Sequence, residues 1–247
     1  MSSKRISFIP WGMRAQATSV VILTGAGISA ESGLPTFRDK DGLWEGQRVE
    51  DVACPQAFAR NPELVQRFYN LRRAALYTTE PNAAHQALAR LQQALPGRVT
   101  LITQNVDDLH ERAGSTEVIH MHGELRKIRC EHCGHRAEWT GDLQTSTLCP
   151  ACGYGRVLRP DIVWFGEIPF HMERIGDAVG AASVFAAIGT SGQVYPAAGL
   201  VHLAKSAGAR TLEINNTRTR VSECFDRHLI GPASVEVPRW VGELLAG

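Results

Sequence analysis

The chain has 247 residues, 44% of them hydrophobic and 21% charged, with a formal net charge of +1 at pH 7. This composition excludes a disordered chain, and the charge gives no reason to expect nucleic acid or an anionic membrane as partner. No apolar run approaches the roughly 18 residues of a membrane span. Residues 1–17 lack the apolar core of a signal peptide and predict a loose N-terminal arm.

The first informative pattern is Gly25–Ala30. It follows the apolar run Val20–Thr24, which predicts a buried parallel strand. Gly25, Gly27 and Ala30 fit the G-x-G-x-x-A fingerprint of a turn that binds a dinucleotide. Gly25 would allow the tight turn, and Gly27 would let the backbone approach a pyrophosphate at a helix N-terminus. The following run, Pro35 to Gly42, interrupts the helical pattern and predicts a loop that closes over a bound nucleotide.

Short apolar strands alternate with helical patterns along the chain. This alternation predicts an α/β fold with a doubly wound, Rossmann-like parallel sheet. The predicted strands are Val20–Thr24, Val99–Thr103, Val118–His120, Val184–Ile188, Thr211–Ile214 and Val235–Val237. The predicted helices run from Pro62 to about Tyr77, from near Asn82, from Pro196 to Ala207 and from Pro238 to Leu245.

The helix that begins at Pro62 carries a notable pair of side chains. Tyr69 and Arg72 are three residues apart, so they lie on one face, in a stripe with Val65 and Leu76. A hydroxyl and a guanidinium in a partly apolar place suit a bound carboxylate. From the pattern alone, the favoured interpretation is an arginine that extends to water.

Polar side chains follow two of the predicted strands. Gln104, Asn105 and Asp107 come after Val99–Thr103, and ligands of an open parallel sheet bind beyond the carboxyl ends of its strands. From this segment alone, a polar turn that caps the next helix is the favoured alternative. His122 follows the strand that ends at His120, and a neutral imidazole there is suited to removing a proton near pH 7. His120 is better interpreted as a structural histidine.

Four cysteines predict a metal site. Cys130-x2-Cys133 and Cys149-x2-Cys152 have the spacing of a zinc ribbon, and Gly134 and Gly153 follow the two pairs. Four protein ligands leave no open position, so the expected zinc is structural. Thiolates that hold metal indicate a reducing compartment, and we expect a cytoplasmic protein.

Two further strand ends carry small or polar residues. Gly189, Thr190 and Ser191 follow Val184–Ile188 and suit a phosphate or a ribose, and Asn215 follows Thr211–Ile214 and could bond an adenosine ribose. A dehydrogenase would carry an acid at a strand end about 20 residues after the glycines. No predicted strand ends there, which counts against ordinary hydride transfer.

Taken together, these segments resemble the sirtuin family of NAD-dependent protein lysine deacylases. The resemblance extends from about Val20 to the end of the chain. It rests on GAGIS with the downstream TFR, on TQNVD, on HGEL, on the four cysteines, and on RPDIVWFGE (159–167), GTSGQVYP (189–196) and EIN (213–215).

The resemblance implies a large Rossmann-like domain, residues 18–125 and 157–247, with a helical insert at about 45–94. It implies a small zinc domain at 126–156. NAD is implied as a consumed cosubstrate, bound with an acyl-lysine peptide in the cleft between the domains. The acyl oxygen would attack the nicotinamide ribose and release nicotinamide. His122 would then act as general base on a ribose hydroxyl, and the products would be free lysine and acyl-ADP-ribose.

The resemblance also implies roles for individual residues at positions that match the family's motifs. Asn105 and Asp107 match the residues that position ribose and nicotinamide, and they join His122 as catalytic residues. The implied contacts to NAD are Gly25, Ala26, Gly27, Ile28, Glu31, Thr36, Phe37, Arg38, Trp44, Gln104, Asn105, Val106, Asp107, Gly189, Thr190, Ser191, Asn215, Asn216, Thr217 and Ala233. The implied contacts to the substrate are Tyr69, Arg72, Val163, Phe165, Gly166 and Val194, and the substrate backbone would add as a strand between two edges.

The resemblance also bears on the acyl group, because Tyr69-x-x-Arg72 matches the signature of sirtuins that remove succinyl and malonyl groups. The expected partners are acylated lysines on proteins, with no nucleic acid and no membrane, and the chain is expected to be a monomer. Two alternatives stay open. One is a protein ADP-ribosyltransferase on the same scaffold, and the other is a zinc-ribbon module that binds nucleic acid or proteins.

Overall fold

The computed structural model describes residues 19–35, 43–44 and 47–246. Within them the strands are β1 (Val20–Thr24), β2 (Leu43–Trp44), β3 (Gln47–Arg48), β4 (Val99–Thr103), β5 (Val118–His120), β6 (Gly123–Cys130), β7 (Arg136–Glu138), β8 (Leu158–Ile162), β9 (Val184–Ile188), β10 (Arg210–Asn215) and β11 (Arg227–Ile230). The helices are α1 (Val49–Val52), α2 (Pro55–Arg60), α3 (Pro62–Ala75), α4 (Ala83–Ala94), α5 (Leu109–Arg112), α6 (Met172–Gly180), α7 (Leu200–Ser206) and α8 (Ala233–Ala246). None of these helices is both long enough and apolar enough to cross a bilayer.

The main sheet has six strands in the order β11-β10-β9-β1-β4-β5, and every pair in it is parallel. Strand β1 lies in the middle, and the order of the strands that follow it reverses beside it, between β1 and β9. This is the Rossmann arrangement, in which ligands bind at the reversal point beyond the carboxyl ends of the strands. The predicted fold class is confirmed.

Both faces of this sheet are covered. Along β1, Val20 and Ile22 point into one core cluster and Val21 and Leu23 into another, as the alternation of a strand requires. Helices α4 and α8 contribute to the first cluster, and α6 and α7 to the second. The sheet is therefore doubly wound, as predicted.

Helices α1 to α3 form a separate layer above the carboxyl ends of the strands. Their buried side chains, among them Val52, Phe68 and Tyr69, pack with Leu125 and Trp164 in a third cluster. Helix α4 packs instead against α8 in the main core. The bounds of the two inserts stay a prediction, and this packing favours ending the helical insert before α4.

The cysteine-bearing segment builds its own small sheet. Strands β7, β6 and β8 are antiparallel, and Cys130 lies at the end of β6 opposite Leu158. A fourth cluster packs Ile128, Leu143 and Leu158 against Cys130 and Cys149. The segment thus has a small core in which two of the metal-ligand candidates take part.

The C-terminal part differs from the sequence prediction. Val235–Val237 is among the predicted strands, but it lies inside α8, which begins five residues before the predicted start at Pro238. Ala233, Val237 and Trp240 recur with helical spacing and pack in the main core, so burial overrides the short alternation. The sixth strand of the sheet is β11, which was not predicted because it begins with the polar residues Arg227 and His228.

Candidate active site

A cleft of about 570 Å³ opens where the carboxyl ends of the main-sheet strands meet α3 and the segment after β8. Strand register explains the gathering of its residues, because Thr24, Thr103 and Ile188 end three neighbouring strands at the same level. Of the predicted site residues, the cleft is lined by Gly25, Ala26, Gly27, Tyr69, Arg72, Gln104, Asn105, Val106, Asp107, His122, Val163, Phe165, Gly166, Gly189, Thr190, Ser191, Val194, Asn215 and Thr217.

The glycine turn after β1 is packed directly on the end of β9. Gly27 N donates to Gly189 O at 2.9 Å, and a Cβ added at Gly27 would lie 2.7 Å from Gly189 Cα. Gly189 has a φ of +62°, which favours glycine, and a Cβ there would collide with Ile28 N. The glycines are required by this crossing of two backbones. The turn continues as two short 3-10 turns, Ala26–Ile28 and Ala30–Ser32, and not as the α-helix of the fingerprint.

A buried hydrogen-bond network lies beneath the turn. Ser29 Oγ donates to Asp107 Oδ2 at 3.1 Å and accepts from Asn105 Nδ2 at 3.1 Å. His85 Nε2 lies 3.4 Å from the same hydroxyl, and its Nδ1 accepts from Asn82 N at 3.3 Å, so Nε2 carries the proton. The network fixes the side chains of Asn105 and Asp107 before any ligand is bound.

Burial gives Asp107 an unusual acidity. Its Oδ1 accepts from Leu109 N at 3.2 Å, but burial outweighs the hydrogen bonds and raises the pKa of Asp107 to about 6. The same burial lowers the pKa of His85 to about 4, so that imidazole is neutral near pH 7. The wall of the cleft therefore holds a carboxyl group that can change its charge just below neutral pH.

His122 is the best-placed proton acceptor of the cleft. Its Nδ1 lies 3.2 Å from Gln104 O, and because a carbonyl oxygen only accepts, Nδ1 carries the proton and Nε2 is left as a base. Burial lowers the pKa of His122, although the bond to Gln104 opposes this shift. The ring is therefore neutral near pH 7. The backbone oxygen of His122 accepts a hydrogen bond from Val163 N at 2.9 Å.

His120 has the structural role that was predicted. Its Nε2 lies 2.7 Å from Glu111 Oε1 and its Nδ1 lies 3.3 Å from Asn105 O. Burial lowers its pKa, but the hydrogen bond to Glu111 prevails and the pKa is raised. His120 does not line the cleft.

Beyond His122 the cleft becomes apolar and ends at α3. Tyr69 is buried, and its hydroxyl accepts from Trp164 Nε1 at 2.9 Å. Burial raises the pKa of Tyr69, which keeps it a phenol. Arg72 is half-buried with its guanidinium carbon 5.6 Å from the centroid of the Phe68 ring. Other apolar residues that line the cleft and pack in the same cluster as Tyr69 include Ala53, Leu76, Leu125 and Ile162.

The one carboxylate in this end of the cleft, within the described residues, is neutralised. Glu167 accepts two hydrogen bonds from Arg159, at 2.7 and 2.9 Å, and one from Arg129 at 2.9 Å. Burial raises its pKa, but these partners prevail and the pKa is lowered, so Glu167 stays ionised and paired. The carboxylate of Glu167 is thus held by Arg159 and Arg129.

Some cleft residues were missed from the sequence. Ser29, the centre of the network, lies two positions after Gly27 in the fingerprint itself, and a hydroxyl there was a usable signal. Arg218, Thr219 and Arg220 line the cleft after β10, and the rule that ligands bind beyond strand ends could have found them. No sequence signal identified Trp164 as the partner of Tyr69, since the two are 95 positions apart.

Four predicted NAD contacts lie elsewhere among the described residues. Ile28 and Ala233 are buried in the main core, and Asn216 is exposed beside the cleft. Glu31 accepts hydrogen bonds from Ser234 N at 3.1 Å and from Ser234 Oγ, at the start of α8. Thr36, Phe37 and Arg38 lie outside the described residues, and the side chain of Trp44, in β2, does as well.

The four cysteines fit a zinc ion. Their sulfur atoms lie within 4.8 Å of one another, with Cys130 to Cys152 and Cys133 to Cys149 at 3.8 Å. Ligand sulfurs about 2.3 Å from a tetrahedral zinc are separated by about 3.8 Å. No other group of metal-ligand side chains of this kind occurs in the described ranges, and none of the four cysteines lines the cleft.

Comparison with known proteins gives one consistent family. The model of the Sir2 family matches residues 25–196. An NAD-dependent protein deacylase of Bdellovibrio bacteriovorus is 58% identical over 229 residues, which cover 92% of this chain and 97% of that protein. A Sir2 homolog–NAD complex has a TM-score of 0.84 at 44% identity, covering 94% of this chain and 92% of that chain. Sir2Af2 bound to a myristoylated histone peptide has a TM-score of 0.72 at 33% identity, covering 93% and 92%.

Proposed function

The chain belongs to the Sir2 family, and on that premise we propose that it consumes NAD to remove acyl groups from lysine side chains of proteins. The relative named above is an NAD-dependent protein deacylase, and this chain matches nearly its whole length. One of the structurally similar proteins holds an acylated peptide. We expect the enzyme in the cytoplasm, where thiolates of a zinc site stay reduced.

One observation carries this proposal. His122 presents an unprotonated Nε2 in the same cleft as the glycine turn and the Asn105–Asp107 pair. A base whose pKa lies below neutral pH is ready to accept a proton from a weakly acidic hydroxyl once that hydroxyl is activated. The amide of Asn105 and the carboxyl group of Asp107 are held by Ser29 at fixed positions, so they can orient a ribose without reorganising.

The proposed roles follow from this arrangement. The glycine turn, Gly189–Ser191 and Asn215 bind the dinucleotide, and Asn105 and Asp107 orient its nicotinamide ribose. The acyl oxygen displaces nicotinamide from the ribose. His122 Nε2 then takes the proton of a ribose hydroxyl as that oxygen attacks the acyl carbon, and water completes the release of lysine. Val163–Gly166 on one side and Val194 on the other hold the substrate backbone. The products are nicotinamide, free lysine and acyl-ADP-ribose.

The cysteine cluster would hold one zinc ion through Cys130, Cys133, Cys149 and Cys152. With all four ligand positions supplied by the protein, the ion would stabilise the small sheet without meeting the substrate.

The far end of the cleft suits an acyl group that ends in a carboxylate. The Tyr69 hydroxyl and the Arg72 guanidinium line the cleft together, next to apolar residues that suit a short methylene chain. Charge-assisted contacts of this kind add about 1.5–3 kcal/mol, or roughly 10- to 150-fold in preference. We therefore propose that the enzyme takes succinyl- and malonyl-lysine in addition to acetyl-lysine.

The test of the reaction class is incubation with NAD and a panel of acylated peptides, followed by mass spectrometry. We expect a free-lysine peptide and acyl-ADP-ribose in equal amounts. ADP-ribose attached to protein, without acyl-ADP-ribose, would instead identify an ADP-ribosyltransferase.

The acyl specificity is tested by Arg72→Met. We expect kcat/KM for a succinyl peptide to fall at least tenfold relative to that for the matching acetyl peptide. Arg67→Met is the control, because Arg67 lies on the exposed face of the same helix. Equal losses on both peptides would contradict carboxylate recognition by Arg72.

A further inference from the structure

Helix α3 and the 3-10 turn that follows it, Leu76–Thr78, present two neighbouring stripes. Tyr69, Arg72 and Leu76 line the cleft. The next residue along the chain from each belongs to a second stripe, formed by Asn70, Arg73 and Tyr77 and extended by Gln66 one turn earlier. The spacing 4-3-4 places these four side chains on one face. This polar stripe faces the cysteine-bearing segment.

Asn70 and Arg73 are the centre of the polar stripe. Asn70 Nδ2 donates to Leu143 O and Asn70 Oδ1 accepts from Leu143 N, both at 2.9 Å, in the manner of a paired strand. Arg73 Nη1 donates to Asn70 Oδ1 at 2.9 Å and to Gly141 O at 3.3 Å, and Nε donates to Leu125 O at 2.9 Å. Arg73 is 1% exposed, so these bonds are shielded from water.

The two ends of the polar stripe are also bonded to this segment. Gln66 Nε2 donates to Leu158 O at 3.1 Å, and the Tyr77 hydroxyl donates to Thr140 O at 2.7 Å. All four side chains of the stripe thus bind backbone oxygens across the interface. Bonds distributed over three turns fix both the rotation and the axial position of a helix.

The segment that receives these bonds belongs to the core of the cysteine cluster. Leu143 is 1% exposed and packs with Cys130, Cys149 and Leu158. The chain of contacts therefore runs from the cysteines through Leu143 to Asn70 and Arg73. The cleft residues Tyr69 and Arg72 are the immediate chain neighbours of those two.

We propose that Asn70 and Arg73 are positioning residues that hold Tyr69 and Arg72 at the depth and angle that an acyl carboxylate requires. This inference rests on the proposed function, since it concerns the same acyl pocket. A shift of about 1 Å in a helix that carries both contacts is enough to weaken them together, while the binding of NAD and the peptide backbone involves other elements.

The test is the ratio of kcat/KM for a succinyl peptide to that for the matching acetyl peptide. We expect Asn70→Ala to lower this ratio about tenfold, which corresponds to the free energy of about one net hydrogen bond. The change should come from a higher KM for the succinyl peptide. Arg67→Ala, on the exposed face of α3, should leave the ratio within twofold of wild type. Asn70→Asp keeps the acceptor for Leu143 N and Arg73, and we expect it to lower the ratio less than Asn70→Ala.

A double-mutant cycle separates positioning from general damage. In an Arg72→Met background the charged contact is gone and only that of Tyr69 is left to be positioned, so adding Asn70→Ala should change the ratio by less than twofold. A full tenfold effect in that background, or an unchanged ratio in a folded, zinc-loaded Asn70→Ala, would overturn the inference. An unchanged ratio in Arg72→Met alone would instead show that carboxylate recognition itself is wrong.

Discussion

The carboxyl group of Asp107 makes folding less favourable as the pH rises, and this can be measured. Asp107 is 7% exposed, and burial raises its pKa from 3.8 to about 6 despite its bonds to Leu109 and Ser29. In the folded protein it therefore holds its proton more tightly than in the unfolded chain. Its stabilising contribution is fully present below pH 3.8 and is lost as the pH rises through about 6.

The size of the effect follows from the shift. A rise of about two pKa units corresponds to about 3 kcal/mol, of which roughly 1.4 kcal/mol is lost between pH 5 and pH 7.5. Asp107→Asn carries a side chain that is neutral at every pH, so it should not show this loss. The amide leaves the Ser29 hydroxyl without its acceptor, which costs about 1–2 kcal/mol at every pH and so cancels when the two pH values are compared.

The assay is urea unfolding of wild type and Asp107→Asn at pH 5.0 and 7.5. We expect the free energy of unfolding of the variant, relative to wild type, to rise by about 1.4 kcal/mol between the two pH values. Asp177→Asn, at an exposed position on α6, is the control. A relative stability that stays constant, or that falls with pH, would refute the assignment of a raised pKa to Asp107. If the variant also loses deacylation activity, Asp107 is needed for function although its burial makes the folded protein less stable at neutral pH.

Two further predictions concern His122 and the cysteines. Because burial lowers the pKa of His122 and the neutral ring is the base, kcat/KM should fall with decreasing pH only below 6.5, and a midpoint above pH 7 would contradict the general-base role. His122→Tyr should abolish deacylation with little change in melting temperature. Cys130→Ala removes one of four clustered thiols, so we expect loss of bound zinc by metal analysis and a lower melting temperature by calorimetry. A zinc-free variant that melts and turns over like wild type would speak against a structural zinc.

The sequence predicted most of what depends on local pattern. Val20–Thr24 and Val184–Ile188 are continuous apolar runs, and such runs become central parallel strands because both faces of the sheet are covered. The paired C-x-x-C knuckles predicted a cluster that the fold assembles. The strand β11 was missed because it lies at the edge of the sheet and carries polar side chains. The start of α8 was misplaced because a segment as short as Val235–Val237 fits the period of a strand as well as that of a helix.

Contacts between distant segments could not be predicted in this way. The face shared by Tyr69 and Arg72 follows from helical spacing, but the bond from Trp164 to Tyr69 depends on where the segment after β8 folds. The adjacent stripe of Asn70 and Arg73 has no apolar signal at all, since its meaning comes from Leu143, some 70 positions away. Spacing gives the face of a helix, and only the tertiary fold gives what that face meets.

The glycine fingerprint shows how a correct prediction can rest on an incomplete reason. Gly27 was expected to be small so that a pyrophosphate could come close, yet the backbone of Gly189 already requires it. The glycines are therefore expected in any fold that packs the turn after β1 this closely on the end of β9, whether or not it binds a dinucleotide. What distinguishes this site is the set of side chains around the turn: a buried Ser29 that fixes Asn105 and Asp107, and a neutral His122 facing them. The case for NAD-dependent deacylation depends on those groups, and the mutations that test it are directed at them.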